Sequence, residues 1–154
     1  MFCTVKQPGF GAPEFKIMCG LREGYGPNAK EHSLNEVVGL IEVYLKARAV
    51  AGQPYLTGMV IGGSVVYAWA DQRSGQSGSG NEPQVIYQGN KIPLYHSGLL
   101  EEEVRDLLTE LADYLGAALG QTRVYVTYGE LMWIRQAEES ETPTGETVQR
   151  KEEE

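Results

Sequence analysis

The chain has two histidines, His32 and His96, and each is followed directly by a serine, Ser33 and Ser97, at the entrance to an amphipathic stretch. The first turn of a helix offers unpaired backbone amides and the positive end of the helix dipole, so an imidazole and a hydroxyl beside it suit an anion. The bend Arg22-Glu23-Gly24-Tyr25-Gly26-Pro27 and the nearby Lys30 precede the first entrance. The expected ligand-binding set is therefore Arg22, Tyr25, His32, Ser33, His96 and Ser97, holding a phosphate or carboxylate. In a catalytic version, His32 and His96 act as general acid and base in phosphoester hydrolysis or isomerisation, with Arg22 stabilising the developing charge. The plainer alternative makes Ser33 and Ser97 simple caps and the histidines exposed loop residues, because the bend lacks the spacing of a P-loop or a GxGxxG fingerprint.

The elements that must position these residues are legible from periodicity. Phe15, Ile17, Cys19 and Leu21 alternate with Lys16, Met18, Gly20 and Arg22, which predicts a strand over 14–22 with one buried face. Ser33 and Glu36 form a capping box, and Leu34, Val37, Val38, Ile41 and Leu45 give the stripe of a first helix that Gly52 and Pro54 stop. Residues 55–71 are β-rich. Gly62-Gly63 implies either a hairpin turn there or a long strand bent at a bulge. Residues 72–83 (QRSGQSGSGNEP) have the composition of a flexible loop. Residues 84–95, broken at Gly89-Asn90, are either a second small hairpin or a bulged strand, whose last part Pro93 puts at an edge or outside the ladder. Leu100, Val104, Leu107, Leu108, Leu111 and Leu115 define a second helix, acidic at its start and ended by Gly120. A strand region over 122–134 turns or bulges at Gly129-Glu130, where Glu130 is a weaker site candidate beside Tyr128 and Trp133.

Composition limits the functional classes. The chain has 154 residues, 42% of them apolar, and a formal net charge of −8. That suits a single domain and gives a nucleic-acid backbone little to bind, since such binding relies on clustered Lys and Arg. No apolar run reaches the ~20 residues of a bilayer crossing. No secretory signal is apparent at the N-terminus, so neither a nucleic-acid nor a membrane partner is expected and the cytoplasm is the expected location. Cys3 and Cys19 have no metal-binding spacing, no cofactor is implied, and Cys19 is expected to be a small buried hydrophobe.

The element order predicts an α+β fold: a ferredoxin-like split βαβ sandwich, its antiparallel sheet covered on one face by two helices, with room for extra hairpin strands. The expected organisation is an N-terminal arm over 1–13, one domain over 14–136 containing a flexible loop over 72–83, and a disordered acidic tail over 137–154. In this arrangement the first strand and the strand before the second helix are expected to be parallel neighbours, so that both helices start at one end and bring His32-Ser33 beside His96-Ser97. The open face, expected to carry Met18, Tyr67, Trp69, Tyr125 and Trp133, is a self-association surface. The functional expectation is an oligomeric binding module for a small anionic ligand. A small enzyme using the His pair and a structural or protein-interaction module are the alternatives.

Overall fold

The computed structural model describes residues 12–92 and 98–138. Residues 1–11 of the expected arm, residues 139–154 of the expected tail, Pro93, His96 and Ser97 lie outside them. The elements are β1 (Glu14–Gly20), α1 (Leu34–Val50), β2 (Met59–Ala70), β3 (Ser77–Asn90), α2 (Glu101–Ala118), β4 (Arg123–Tyr128) and β5 (Leu131–Gln136). The strands form one antiparallel sheet in the order β2-β3-β1-β4-β5, so the fold is α+β, as the alternation and the two helical stripes require.

Alternation decides which face is covered. Phe15, Ile17, Cys19 and Leu21 are each 5% exposed or less. Across the ladders Ile17 stands opposite Tyr87 and Val126, and Cys19 opposite Val85 and Val124, which puts all of these on one face. The helices pack there with Val37, Ile41, Val104, Leu108, Leu111 and Leu115. Two glycines allow close approach: a side chain at Gly62 would strike Leu34 of α1, and one at Gly116 of α2 would strike Val124. The helices meet through the rings of Tyr44 and Tyr114, whose centroids are 5.1 Å apart.

The expected strand polarity is corrected. β1 and β3 are antiparallel, with Glu14 opposite Asn90 and Gly20 opposite Gln84. The physical reason is the tight β2–β3 connection: the α1 crossover returns β2 parallel to β1, and a short hairpin then reverses β3. α1 therefore starts where β1 ends, and the His32 amide donates to Leu21 O at 2.8 Å. α2 starts at the opposite end, where Lys91 N donates to Pro13 O and Lys91 Nζ reaches Leu99 O at 2.6 Å. Leu34 and Leu100 thus open their helices at opposite ends of the sheet, which removes the geometric basis for joining His32-Ser33 with His96-Ser97.

Three further expectations change. Of the two alternatives at Gly62-Gly63 the single long strand holds, without the expected bulge, because β2 runs through both glycines in unbroken register with β3. The expected loop over 72–83 is short: the turn lies between Ala70 and Ser77, and residues 77–83 belong to β3. Asp71 closes that turn, accepting from Arg73 N at 2.8 Å and Ser74 Oγ at 2.8 Å, while Gly75 adopts φ 70°. Finally, Trp133 stands opposite Val126 and donates to Thr109 Oγ1 of α2 at 3.2 Å, so it belongs to the helix side. Met18, Tyr67, Trp69 and Tyr125 do share the open side by ladder parity.

Leu108 of α2, 1% exposed, and Leu100 at the helix's N-cap, 68% exposed, provide a contrast. Leu108→Ala is expected to lower unfolding free energy by about 2–5 kcal/mol in urea titration, and Leu100→Ala by no more than about 0.5 kcal/mol.

Candidate functional site

β1 stops at Gly20, opposite Gln84, while the β2–β3 ribbon continues past it to the Ala70–Ser77 pair. This step in the sheet leaves a groove of about 990 Å³ on the open side, with Met18 and Gly20 at its floor. The ribbon supplies Val65, Glu82 and Gln84, the α2–β4 corner supplies Gln121 and Arg123, and Tyr125, Met132, Gln136 and Glu138 close the far side. Glu82 and Val65 are cross-strand partners, which fixes the carboxylate on the groove side of the ribbon. Gln121 is braced, its Nε2 donating to Arg22 O at 2.8 Å and to Leu119 O at 3.0 Å. Its Oε1 occupies the space that a side chain at residue 20 would need, so Gly20 keeps the floor open.

The remaining wall is the loop between β1 and α1. Arg22 and Glu31 form an isolated antiparallel bridge, with Arg22 Nη2 3.4 Å from Glu31 Oε2, and Glu23 N donates to Lys30 O at 2.8 Å. Beyond this stem the chain turns through Gly24 (φ 75°) and Gly26 (φ 131°), backbone conformations that disfavour a side chain. Between them Tyr25 projects to the rim of the groove, 92% exposed.

Behind the loop lies a charge cluster around one buried histidine. His32 is 6% exposed, with Nε2 2.6 Å from Glu23 Oε1 and Nδ1 2.7 Å from Glu36 Oε2. Two carboxylates can each accept from one imidazole only when both ring nitrogens carry protons. The hydrogen bond to Glu36 leads the effects that raise the His32 pKa, and burial opposes it. The same bond holds the Glu36 carboxyl below its ordinary range. Ser33 caps α1, its Oγ accepting from Glu36 N at 3.1 Å.

The structure thus places Arg22 and Tyr25 along the groove and its extension, while His32 and Ser33 stand behind the loop, engaged with glutamates and with the helix's own first turn. Glu130 lies at the far end, in the β4–β5 turn where Gly129 N donates to Glu14 O. Cys19 is buried and its thiol is pushed up to about 12 by desolvation, which suits packing and not nucleophilic attack. Sequence reasoning missed Glu82, Gln84, Gln121, Arg123 and Tyr125 as a group. The available signal was a lone glutamate and proline closing a glycine-serine stretch, unusual for a pure linker. Among the described residues, no three His, Cys, Asp or Glu side chains are placed to hold a metal ion, and no helix is long and apolar enough to cross a membrane.

The fold has solved counterparts. A phage SAM lyase in its apo state matches with TM-score 0.63 and 18% identity over 90% of this chain and 100% of that one. A phage SAM lyase in complex with S-methyl-5'-thioadenosine matches with TM-score 0.57 and 22% identity, covering 88% of this chain and 97% of that one. No protein-family model and no curated protein matches the chain.

The charge cluster has a pH signature. A histidine whose folded pKa is raised contributes stability that is complete below its ordinary 6.5 and is lost as pH climbs through the folded value. A glutamate whose folded pKa is lowered contributes above its ordinary 4.5 and is lost as pH falls through the folded value. Wild-type melting temperature is therefore expected to peak between these two ordinary values and to decline as His32 deprotonates, whereas His32→Asn removes the alkaline step in a differential scanning series.

Proposed function

We propose that the groove binds a small nucleoside thioether or sulfonium of the S-adenosylmethionine class, and that the chain is a lyase acting on such a sulfonium. The observation that carries this reading is the groove itself, formed where the ribbon overruns β1 in a chain that shares its fold with phage SAM lyase. The lining has the appropriate chemistry. Tyr25 and Tyr125 offer ring faces to a nucleobase, Met18 and Met132 offer soft apolar contact, and Glu82 offers a charge-assisted acceptor for ribose hydroxyls or a sulfonium. Arg123 would pair with the carboxylate of an amino-acid portion. Two carboxylates, Glu82 and Glu138, beside one guanidinium favour a zwitterion or a cation over the simple anion expected from the Arg22 and Lys30 loop.

In the proposed reaction a carboxylate oxygen of the substrate's own amino-acid portion attacks the carbon bonded to sulfur, closing a five-membered lactone as the carbon–sulfur bond breaks and its electron pair stays on sulfur to give a neutral thioether. The leaving group needs no proton. The demands on the site are to exclude water and to hold the amino-acid chain in a reactive shape, which makes orientation the main contribution of the lining.

Isothermal titration calorimetry with 5'-methylthioadenosine, and chromatography of S-adenosylmethionine incubated with the protein, test the two halves of this reading. Saturable binding and release of the thioether are expected, and absence of both rejects it. Glu82→Gln is expected to weaken binding roughly tenfold to a hundredfold, the loss of one charge-assisted hydrogen bond.

We also propose that the chain self-associates through the open side of the sheet, which would set the groove at a subunit junction. Tyr67 (44%), Trp69 (52%), Met132 (61%) and Ile134 (51%) are exposed there, more apolar surface than a monomer usually leaves to water. Sedimentation equilibrium is expected to show an oligomer at micromolar concentration, and Trp69→Glu is expected to dissociate it. A monomeric wild type would reject the assembly.

A further inference from the structure

The loop carrying Tyr25 is connected to the rest of the molecule at few points, yet it forms one wall of the groove. Its stem holds through the Arg22–Glu31 bridge and one backbone hydrogen bond from Glu23 to Lys30. Its tip, Gly24 to Gly26, has open space where a side chain would project from either glycine, and Tyr25 between them is 92% exposed. Besides Gln121, which holds the root of the loop at Arg22 O, the loop is anchored to the core by Glu23. Its stem lies against Gly120, which at φ 61° ends α2 and leaves no side chain in that space, and its carboxylate is held by His32 Nε2 at 2.6 Å. His32 is in turn fixed to α1 through Glu36 at 2.7 Å.

We propose that His32 is a positioning residue for the groove: clamped between Glu23 of the loop and Glu36 of α1, it sets where Tyr25 stands relative to a bound nucleoside. This rests on the reading of the groove as the nucleoside site. Removal of one ring proton leaves a single N–H to serve two carboxylates, and the other carboxylate then faces a lone pair. The loop side is the weaker partner, because Glu23 sits on a glycine-rich segment whereas Glu36 belongs to a capped helical turn. The charged groups facing the imidazole are Glu23 from the loop and Glu36 from α1, with Lys30 acting on Glu36, Arg22 paired to Glu31 in the stem, and uncharged Gly120 of the α2–β4 corner against the Glu23 side chain. Arg22 is matched by Glu31, so it offers Glu23 little replacement when His32 becomes neutral.

The test combines hydrogen-exchange mass spectrometry of residues 22–31 with calorimetry using 5'-methylthioadenosine, on wild type, His32→Asn and Glu23→Gln. At about pH 6, where the imidazole is charged, exchange of this segment is expected to be at least roughly tenfold faster in both variants than in wild type. Affinity for 5'-methylthioadenosine is expected to fall roughly threefold to tenfold as the Tyr25 wall loosens. As pH rises through the raised folded pKa of His32, the wild type is expected to converge on the variants in both measurements. Glu23→Gln leaves the His32–Glu36 arm in place, so it reports on the loop even where His32→Asn unfolds the domain. Wild type that binds with variants of equal affinity overturns the positioning role. Wild type that does not bind at any pH overturns the nucleoside reading, and this proposal falls with it. Equal exchange in wild type and variants at the lower pH overturns the clamp alone.

Discussion

The interaction on which the molecule depends is the double ladder of β1. This strand lies in the middle of the five, hydrogen-bonded to β3 on one side and β4 on the other, with Phe15, Ile17 and Cys19 almost fully sealed beneath the helices. Because both neighbours run against it, the connections sort themselves by end. The α1 entrance, the overhanging ribbon and the α2–β4 corner gather where β1 stops, while the α2 entrance and the β4–β5 turn gather where it begins. Polar groups from distant parts of the sequence, Tyr25, Glu82, Gln121 and Arg123, share one groove because of this sorting.

Charge is distributed with the same economy. In a chain of net charge −8, exposed acids among the described residues include lightly paired ones, as with Arg48–Glu110 at 2.9 Å and the bidentate Arg135–Asp113 contact at 2.7 Å. Surface pairs of this type contribute little to folding. The exception is His32, where one imidazole withdrawn from water faces two carboxylates, so local geometry depends on a single proton.

Much of the framework was legible in the residues. The alternation of Phe15, Ile17, Cys19 and Leu21 gave the core face, and Ser33 with Glu36 gave the first turn of α1, because strand and cap signals are local. Strand direction was not local. Whether β3 runs with or against β1 depends on how tightly it follows β2, and that tight turn lay in a stretch whose glycines and serines mimic a linker. The candidate site was obscured for the same reason: Glu82 falls inside that stretch, and Gln121, Arg123 and Tyr125 join it only through long-range pairing. His32 was singled out as chemically notable, but its partners Glu23 and Glu36 were less visible, since one lies nine residues away across a loop.

The ribbon beyond Gly20 has the composition of a linker and the hydrogen bonding of a sheet, and its glycines explain how both hold. A side chain at Gly78 would collide with the indole of Trp69, and one at Gly80 with the phenol of Tyr67. The rings lie across bare backbone, shielding the cross-strand amides from competing water in a segment with no helix above it. The arm thus carries its own miniature roof, and its order comes from within the hairpin and not from the body of the domain. Such a projection delivers Glu82 to its place at the root, while Tyr67 and Trp69 cover its length as far as the polar turn 71–76.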